Sequence, residues 1–381
     1  MISISEKKDC TGCHGCANIC PKRCISMIED SEGFRYPTVD KEKCINCNLC
    51  ERVCPILNRN KINNKPVAIA SYSKNKEIRM KSSSGGIFSL IAEEVINKSG
   101  VVFGAKFNEK FDVIHDYTES MEGISKFRGA KYVQSIIGDT YSVAKKFLEG
   151  GRQVVFSGTP CQIGGLKRYL LKEYSNLLCI DLICHGVPSP IAWRKYKESF
   201  NNEKKIEGIY FRDKTYGWKN YSFKVDFEDK SHMLIKRNQN SFMDGFINNI
   251  YLRPSCHDCK FKSIQRESDI TLADFWGIEN IRKDIDDDKG TSLVLINSKR
   301  GKDIIFCIDE KIEKVEVDIN EAIKYNSSAI KSSYNNPRRK YFFKRINRVD
   351  FDKLVDKSLM GTLNVRLKVR AYEILKKCCN T

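Results

Sequence analysis

The sequence predicts three parts: a small cysteine-rich α+β domain, a larger mixed α/β domain, and a basic, mainly helical C-terminal tail. Three observations support this division. Nine of the 17 cysteines lie before residue 55, alternating strand-like and helix-like segments begin at Val67, and the last 51 residues carry more than half of the net charge of +18. A chain of 381 residues suffices for two or three domains. We predict domain boundaries at residues 1–60, 67–330 and 331–381.

The composition is that of a soluble globular protein. Hydrophobic residues make up 41% and charged residues 30% of the chain, which excludes a disordered or collagen-like class. No apolar run approaches the ~18 residues that a membrane span requires. The N-terminus, MISISEKKDC, has no apolar signal segment, so we expect a cytoplasmic protein. Because disulfides are rare in that compartment, the many cysteines indicate metal binding.

The first domain contains the same cysteine pattern twice. C-x2-C-x2-C-x3-C-P begins at Cys10 and again at Cys44. In bacterial ferredoxins this run binds [4Fe-4S] clusters, and its fourth cysteine ligates the other cluster. The first cluster is therefore expected on Cys10, Cys13, Cys16 and Cys54, and the second on Cys44, Cys47, Cys50 and Cys20. Structural zinc and disulfide pairs are the alternatives, although zinc sites typically lack the third cysteine and the proline.

Five other cysteines have no predicted role as metal ligands. Those in apolar segments or outside the pattern are interpreted as buried small hydrophobic residues, namely Cys24, Cys179 and Cys307. Cys378 and Cys379 have no partner at a metal-ligand spacing. Residues 58–66 are polar, rich in Asn and end in Pro, which is typical of a linker.

The second domain is predicted from its periodicity. Strands are expected at residues 67–73, 101–107, 153–157, 177–183, 209–212, 221–227, 292–297 and 315–319, and helices near residues 86–98, 241–250 and 299–310. Helical stretches also follow the strands at 153–157 and 177–183. The pattern predicts a mixed α/β domain but not its strand order.

Four cysteines of this domain form a second candidate metal site. Cys161 and Cys184 each follow a predicted strand, and Cys256 and Cys259 form a CxxC pair. Loops at the carboxyl ends of strands are where α/β domains bind cofactors. The alternative is four separate loop cysteines with a weak redox pair. His185 and His257 flank these cysteines, and a role as loop hydrogen-bonding groups is the simpler interpretation.

Three further segments suggest a bound cofactor. Ser83, Ser84, Gly85 and Gly86 precede a predicted helix, where free amides and the helix dipole favour a phosphate, although simple serine capping is the alternative. Lys131, in RGAKYVQS, could meet a phosphate or a ring carbonyl, whereas an exposed lysine is the default. Asp274 ends a predicted strand beside two aromatic residues, which suits a flat cofactor as well as core packing.

Together, six motifs resemble the beta subunit family of coenzyme F420 hydrogenases and dehydrogenases. They are SSSGGIFSL, FRGAKYVQS, FSGTPCQI, LICHGVPSP, RPSCHDCKF and SDITLADFWG. The residue sequences of these motifs are similar to those of the bacterial branch of this family. The resemblance covers about residues 67–330 and implies a non-covalent FAD, an adjacent [4Fe-4S] cluster, and hydride exchange with a deazaflavin. By motif match, Cys161, Cys184, Cys256 and Cys259 would hold the cluster, and Ser83, Ser84, Gly85, Gly86 and Lys131 would lie on the flavin side.

The resulting expectation is an α+β ferredoxin-like 2[4Fe-4S] domain followed by a mixed α/β flavin-binding domain. Such a protein would pass electrons between an F420-like deazaflavin or nicotinamide at FAD and a redox partner protein or soluble carrier. Flavin suits this role because it handles both one- and two-electron steps. The alternatives are a non-catalytic electron-transfer subunit and a reductive enzyme of polysaccharide biosynthesis acting on a sugar-linked substrate.

The basic tail suggests a surface or packing role. Arg338, Arg339, Lys340, Lys344, Arg345 and Arg348 surround Tyr341, Phe342 and Phe343. Aromatic and cationic residues occur together in anchors at an anionic membrane surface, so a peripheral membrane contact is one interpretation. The other is a solvated helix that packs its aromatic residues onto the body. No nucleic-acid reader motif accompanies these charges, so no nucleic-acid partner is expected.

Overall fold

The computed structural model describes residues 1–200 and 204–360. Its strands are β1 (Ile25–Glu29), β2 (Arg35–Val39), β3 (Val67–Ser73), β4 (Val101–Phe107), β5 (Val113–Thr118), β6 (Val154–Ser157), β7 (Leu177–Leu182), β8 (Ile206–Asp213), β9 (Ser222–Phe227), β10 (His232–Lys236), β11 (Ile270–Asp274), β12 (Ser292–Ile296) and β13 (Ile312–Val317). Its α-helices are α1 (Gly15–Ile19), α2 (Leu49–Arg52), α3 (Lys76–Lys81), α4 (Ile87–Asn97), α5 (Met121–Phe127), α6 (Thr140–Glu149), α7 (Pro160–Leu170), α8 (Pro190–Glu198), α9 (Ser241–Ile247), α10 (Ile278–Ile281), α11 (Lys299–Cys307), α12 (Ile319–Lys324) and α13 (Arg339–Phe343). Residues 351–360 are also helical.

Within this part of the chain, no helix combines the length and the hydropathy that crossing a membrane would require.

The N-terminal domain folds as a repeat, as its cysteine spacing predicts. β1 and β2 form an antiparallel hairpin, and the short helices α1 and α2 each follow a cysteine loop. His14 and Asn48, which are 34 residues apart, precede these helices with φ angles of 61° and 56°. Both copies of the pattern therefore enter their helices through the same left-handed residue, a conformation that Asn and His tolerate better than most residues.

The second domain is built on an eight-stranded sheet. The strand order is β13-β3-β12-β11-β7-β6-β4-β5. The central strands β4, β6, β7 and β11 run parallel, whereas β5 at one edge and β12, β3 and β13 at the other pair antiparallel. The carboxyl ends of β6, β7 and β11 consequently meet at one edge of the sheet, where α/β domains bind their ligands.

Alternate residues of the parallel strands face two helical layers. Val155 and Leu178 pack with α4 and α11 on one face, whereas Val154 and Leu177 pack with α6 and α7 on the other. This division follows the two-residue period of a strand. The run of apolar residues in each central strand is explained by burial on both faces.

A smaller sheet, in the order β10-β9-β8, packs with α8, α9 and the C-terminal segment. Phe342 is fully buried there, in contact with the rings of Tyr251 and Phe351, and Leu354 and Val355 are buried in the same core. Tyr341 and Phe343 are partly buried against it. The described part of the tail thus packs its aromatic residues onto the body, while the basic residues after residue 360 lie outside the described residues.

Most predicted elements are present with small shifts of their ends. The strands at Val67–Ser73 and Val101–Phe107 have the predicted bounds, and the predicted strand pair at 209–212 and 221–227 is the antiparallel pair of β8 and β9. The strand expected at 315–319 lies at Ile312–Val317 instead. Cys179 is buried as expected. Cys307 is exposed at the end of α11, so its predicted burial was wrong.

Candidate cluster and cofactor sites

The cysteines expected to hold the second ferredoxin cluster line one small cavity. Its wall includes Cys20, Cys44, Cys47 and Cys50, the set predicted from the crossed pattern. Cys24 also lines it, with its Sγ 3.3 Å from that of Cys20. Cys24 is buried, as its interpretation as a small hydrophobic residue predicts. The sequence did not predict its contact with Cys20, which is a predicted cluster ligand. The fourth cysteine of the first copy, Cys20, is therefore placed beside the second copy.

The cysteines expected to hold the first cluster also lie near one another, with Cys10 and Cys13 buried and Cys16 and Cys54 half-buried. Burial, with smaller contributions from the neighbouring Cys10 and Cys54 thiols, raises the pKa of Cys13 to about 12. Burial also raises the pKa of Cys16, again with contributions from Cys13, Cys10 and Cys54. The fourth cysteine of the second copy, Cys54, is therefore placed beside the first copy.

The four cysteines of the second domain converge in the same way. Cys161 opens α7 after β6, Cys184 follows β7, and Cys256 and Cys259 lie on the loop before β11. Burial raises the pKa of the Cys161 thiol, with further contributions from Cys259, Cys184 and Cys256. Burial likewise raises the pKa of Cys256 to about 12. The parallel strand order explains this meeting, because β6 and β7 are neighbours.

Hydrogen-bond donors surround the sulfur atoms at these sites. The amide of Ile2 lies 3.2 Å from Cys50 Sγ, and the amide of Val187 lies 3.4 Å from Cys256 Sγ. The Thr159 hydroxyl is 3.2 Å from Cys161 Sγ. Donors to ligating sulfur are a common second layer around iron–sulfur clusters and tune their potentials.

Buried cations provide a second test of whether clusters fit these sites. Arg253 is fully buried and forms no ion pair with any described residue. Its guanidinium lies 3.6 Å from Cys10 Sγ and occupies the space that a side chain on Gly12 would need. An unpaired buried charge is costly unless it is compensated. An iron–sulfur core with four thiolates is an anion, so it would supply the compensation.

The described residues contain no preformed site for a single metal ion. Among residues 1–200 and 204–360, no three His, Cys, Asp or Glu side chains approach closely enough to hold one ion. A [4Fe-4S] cluster does not require this, because each of its four thiolates binds a different iron. Each of the three cysteine sets supplies the four thiols that one such cluster needs.

A cavity of about 1160 Å³ lies at the carboxyl edge of the large sheet. Its wall includes all six residues predicted to contact the cofactor except Gly85, namely Ser83, Ser84, Gly86, Lys131 and Asp274. Cys184 and His185 line the same cavity. The volume exceeds the ~300–1,000 Å³ of ordinary ligand pockets, so the cavity can hold a large ligand.

Residues 83–86, which we call the Ser-Gly loop, form part of the cavity wall before α4 and do not cap this helix with a side chain. Gly86 precedes the helix with a φ of 90°, and no side chain caps the helix there. Ser83 Oγ accepts a 2.6 Å hydrogen bond from the Ala130 amide, and Ser84 Oγ donates to the Thr291 carbonyl at 2.8 Å. The serine-capping alternative is therefore wrong. The first amides of α4 are left for a ligand, as a phosphate requires.

Gly85 lies behind the loop instead of lining the cavity. Its amide donates to Ser292 Oγ at 2.9 Å. A Cβ on this residue would overlap the carbonyl oxygen of Ser71 in β3. Gly85 therefore allows the loop to approach the sheet closely, and its role is to position the other loop residues.

Lys131 is held by the loop after α5. Its ammonium donates to the carbonyls of Arg128 and Gly129 at 3.1 and 3.2 Å. Burial lowers the pKa of Lys131 to about 7. Nearby, burial lowers the pKa of His115 to about 4, and His115 Nε2 contacts the Ser157 carbonyl at 3.0 Å. Nε2 therefore carries the proton, which leaves Nδ1 as an unpartnered acceptor in the cavity wall.

Asp274 ends β11 and is already engaged by two side chains. Its carboxylate accepts from Arg212 at 2.6 Å and from the Trp218 indole at 3.1 Å. Arg212 in turn stacks on Tyr221, and Trp218 stacks on Trp276 with ring centroids 4.9 Å apart. These rings and charges give the cavity one flat, polar edge.

The histidines beside the cysteines act as loop hydrogen-bonding groups. His185 Nε2 lies 2.6 Å from Asn249 Oδ1, and His257 Nδ1 lies 3.1 Å from the Ser333 carbonyl. This agrees with the simpler interpretation of both residues.

Three residues of these sites were not identified from the sequence. Arg253 precedes the CxxC pair and reaches the first ferredoxin loop, where its Nε donates to the Cys10 carbonyl at 2.8 Å. The Lys214 ammonium donates to the carbonyls of Ser84, Arg79 and Lys289. These hydrogen bonds hold the Ser-Gly loop against the neighbouring segments. A Cβ on Gly165 would lie 2.9 Å from Cys13 Cβ. For Arg253, the available sequence signal was a basic residue three positions before Cys256. Lys214 and Gly165 could not be identified in this way, because they contact residues that are far away in the sequence.

The sequence comparisons agree with this arrangement. Residues 9–57 match a family model for the 4Fe-4S dicluster domain. Residues 151–321 match the model for the C terminus of the coenzyme F420 hydrogenase/dehydrogenase beta subunit. The expected resemblance to this family is confirmed over residues 151–321. These matches support an iron–sulfur electron-transfer subunit of the F420 hydrogenase/dehydrogenase type, with two [4Fe-4S] clusters in its N-terminal domain.

The solved structures with a similar fold include one hydrogenase chain. It is a chain of the F420-reducing [NiFe] hydrogenase complex from Methanosarcina barkeri, studied with xenon derivatization. The two sequences are 17% identical, and the alignment covers 74% of this chain and 93% of that chain with a TM-score of 0.50. At this identity the likeness concerns the fold. The comparison with curated proteins finds no match.

Proposed function

We propose that the protein is a flavin and iron–sulfur oxidoreductase. In this proposal, FAD occupies the large cavity and exchanges hydride with an F420-like deazaflavin or a nicotinamide. A third [4Fe-4S] cluster on Cys161, Cys184, Cys256 and Cys259 connects this reaction to the two ferredoxin clusters and to a one-electron carrier. Bound flavin supplies the conversion between two-electron and one-electron steps.

The observation that carries the proposal is the position of Cys184. This residue lines the cavity and belongs to the group of four cysteines. A cofactor in the cavity and a cluster on these thiolates would therefore be neighbours. Lys262 supports the turn between them, donating from its ammonium to the carbonyls of Cys184 and, at 2.8 Å, Ser328.

The helix α7 connects this site to the ferredoxin domain. Cys161 is in its first turn, and Gly165 lies one turn later against Cys13. A single helix would thus hold a third cluster at a fixed position relative to the first. Arg253 makes a second connection, because it contacts Cys10 and lies only three residues before Cys256.

The cavity residues would divide the work of holding FAD. The α4 amides behind Ser83 and Ser84 would bind a phosphate, aided by the helix dipole. Lys131 would add a positive charge when protonated, and neutral His115 would accept a hydrogen bond at Nδ1. The Arg212–Asp274 ion pair would lie along the edge of the flavin ring and present fixed dipoles to it.

Anaerobic purification with flavin and iron analysis tests the proposal. The purified chain should contain FAD, and one of F420, NADH or NADPH should bleach the oxidised flavin absorbance. In a Cys161→Ala variant the flavin should still be reduced by that donor, while reduction of the ferredoxin clusters should become much slower. A chain that holds three clusters but no flavin would contradict the proposal.

A non-catalytic electron-transfer subunit is the second candidate. It is favoured by the structural similarity to one chain of a hydrogenase complex, since this chain could likewise serve a larger assembly. Turnover by the isolated chain with a soluble hydride donor distinguishes the two. Neither the family matches nor the fold supports the polysaccharide alternative.

A further inference from the structure

The two ferredoxin cluster sites differ in their access to solvent. Cys10 and Cys13 of the first site are buried, and α7 covers Cys13. Cys47 of the second site is exposed, whereas every cysteine of the first site is buried or half-buried. An external protein could therefore approach one ligand of the second site more closely than any ligand of the first.

The rim of the second site has an apolar residue at its centre. Ile45 lines the small cavity that contains Cys44 and Cys47, and 57% of its surface is exposed. Lys22 lines the same cavity from the opposite loop. Ile45 lies between the predicted ligands Cys44 and Cys47 in the sequence. Its exposed side chain offers an apolar contact from which a partner protein could exclude water.

The charges around this rim have one predominant sign. Residues 20–24 and 41–47 contain four basic side chains and one acidic side chain. Lys43 is paired with Asp40 at 2.9 Å. Lys22, Arg23 and Lys41 are exposed and form no ion pair with a described residue. We call Lys22, Arg23, Lys41, Ile45 and Cys47 the exit surface.

We propose that the exit surface docks an acidic one-electron carrier protein. The inference rests on the proposed function in requiring a cluster at the second site. One electron passes between that cluster and the carrier's own centre, so that one is oxidised as the other is reduced. Its direction follows from the two potentials.

A small acidic protein suits the exit surface for two reasons. Complementary charges raise the association rate and orient the encounter, while adding little to the lifetime of the complex. Redox encounters of this kind use small interfaces, below about 1,200 Å² in total. Ile45 and Lys22 on one cavity rim, with the exposed Arg23 and Lys41 on the same two loops, provide such a contact, from which the partner can leave after each electron.

Binding to an acidic 2[4Fe-4S] ferredoxin tests the proposal on the anaerobic, iron-replete full chain. Affinity is measured at low and high salt, and electron transfer is followed after reduction with dithionite, which bypasses the flavin site. The double variant Lys22→Glu/Arg23→Glu should bind at least tenfold more weakly at low salt, and the difference should vanish at high salt. The Ile45→Ser variant should weaken binding at both salt concentrations.

The control reverses two other exposed lysines, Lys126→Glu/Lys302→Glu, on α5 and α11 of the body. This variant should bind the ferredoxin like the parent chain. If Lys22→Glu/Arg23→Glu loses iron, Lys22→Gln/Arg23→Gln takes its place with a smaller expected loss. Equal losses in the control, unchanged binding in the rim variants, or equally tight rim-dependent binding of anionic vesicles would each overturn the proposal. Absence of flavin would refute the proposed function without affecting this result.

Discussion

Arg253 contacts Cys10 at two points: Nε donates to the Cys10 carbonyl at 2.8 Å, and Nη2 lies 3.6 Å from Cys10 Sγ. A second bond from Nη2 to the Arg35 carbonyl, at 3.0 Å, and the ring of Tyr36 hold the guanidinium in place. A residue of the body loop thus supplies a buried positive charge to a cluster site of the ferredoxin domain. The two domains are coupled electrostatically as well as by packing.

We expect Arg253→Gln to lower the reduction potential of the first ferredoxin cluster. A cation near the cluster stabilises the more negative, reduced form, so its removal should shift the midpoint by on the order of 60 mV, a tenfold change for a one-electron couple. Redox titration followed by electron paramagnetic resonance measures this shift. Arg253→Lys should show a smaller one.

Arg339→Gln is the matched control for this substitution. Arg339 also joins the body to the ferredoxin domain, with Nη1 donating to Glu32 at 2.8 Å, but it contacts no cluster cysteine among the described residues. Its loss should leave the midpoint unchanged. Equal shifts in both variants would mean that domain docking, and not the charge of Arg253, sets the potential.

Iron content tests the third cluster. With three clusters the anaerobic chain should contain about 12 irons, and Cys161→Ala should reduce this to about eight, because the remaining thiolates cannot complete the site. Cys179→Ala is the control, since Cys179 is buried in the apolar core of β7. Full iron content in both variants would refute the four-cysteine site. Truncation before Val67 is less suitable, because it uncovers Gly165 and Arg253.

Gly85→Ala should reduce flavin content at least tenfold while leaving the iron content unchanged. The added Cβ would overlap the Ser71 carbonyl, which pushes the Ser-Gly loop into the cavity. Gly150→Ala is the control: it lies at the end of α6, where a Cβ has ordinary contacts no closer than 3.4 Å. Flavin and iron analyses of both variants decide the result. Gly86 is a poorer choice, because its φ of 90° would strain any side chain.

Flavin affinity should depend on pH through Lys131. The pKa of this lysine, lowered to about 7 by burial, means that the free site gains its positive charge as the pH falls through 7. An anionic phosphate favours the charged form, so affinity should be constant below pH 7 and fall by up to about tenfold per pH unit above it. Fluorescence titration of the apoprotein with FAD measures this dependence. Lys131→Met should bind weakly with no such fall, and a parallel fall in that variant would exclude Lys131 as its source.

The sequence predicted the parts of the sites that depend on local spacing. The ferredoxin cysteines share a short repeated run, so the positions of Cys20 and Cys54 follow from the pattern itself. Cys161 and Cys184 could be grouped because each follows a strand, and parallel strands end at a common edge. Lys214 and Arg253 could not be assigned, because their partners Ser84 and Cys10 are 130 and 243 positions away.

The tail shows where sequence patterns fail to discriminate. Alternating aromatic and basic residues predict both an interfacial anchor and a helix packed on a core, and the choice depends on an uncovered apolar surface elsewhere in the fold. β8, β9 and α9 supply that surface, and Phe342 fills it. The short strands β5 and β10 were also not predicted, since they lie at sheet edges and have mixed polar sequences.

Phe342→Ala should destabilise the body by about 3–5 kcal/mol, the usual cost of removing a buried phenylalanine ring. Phe342 is fully buried, whereas 77% of the surface of Phe306 is exposed, so Phe306→Ala serves as a control of identical chemistry. Urea unfolding monitored by far-ultraviolet circular dichroism should show a lower midpoint for Phe342→Ala alone. The same variants, mixed with anionic vesicles, test the membrane interpretation of the tail. If Phe342 were an anchor, its replacement would weaken vesicle binding and leave the unfolding midpoint unchanged; packing onto Tyr251 and Phe351 requires the opposite result.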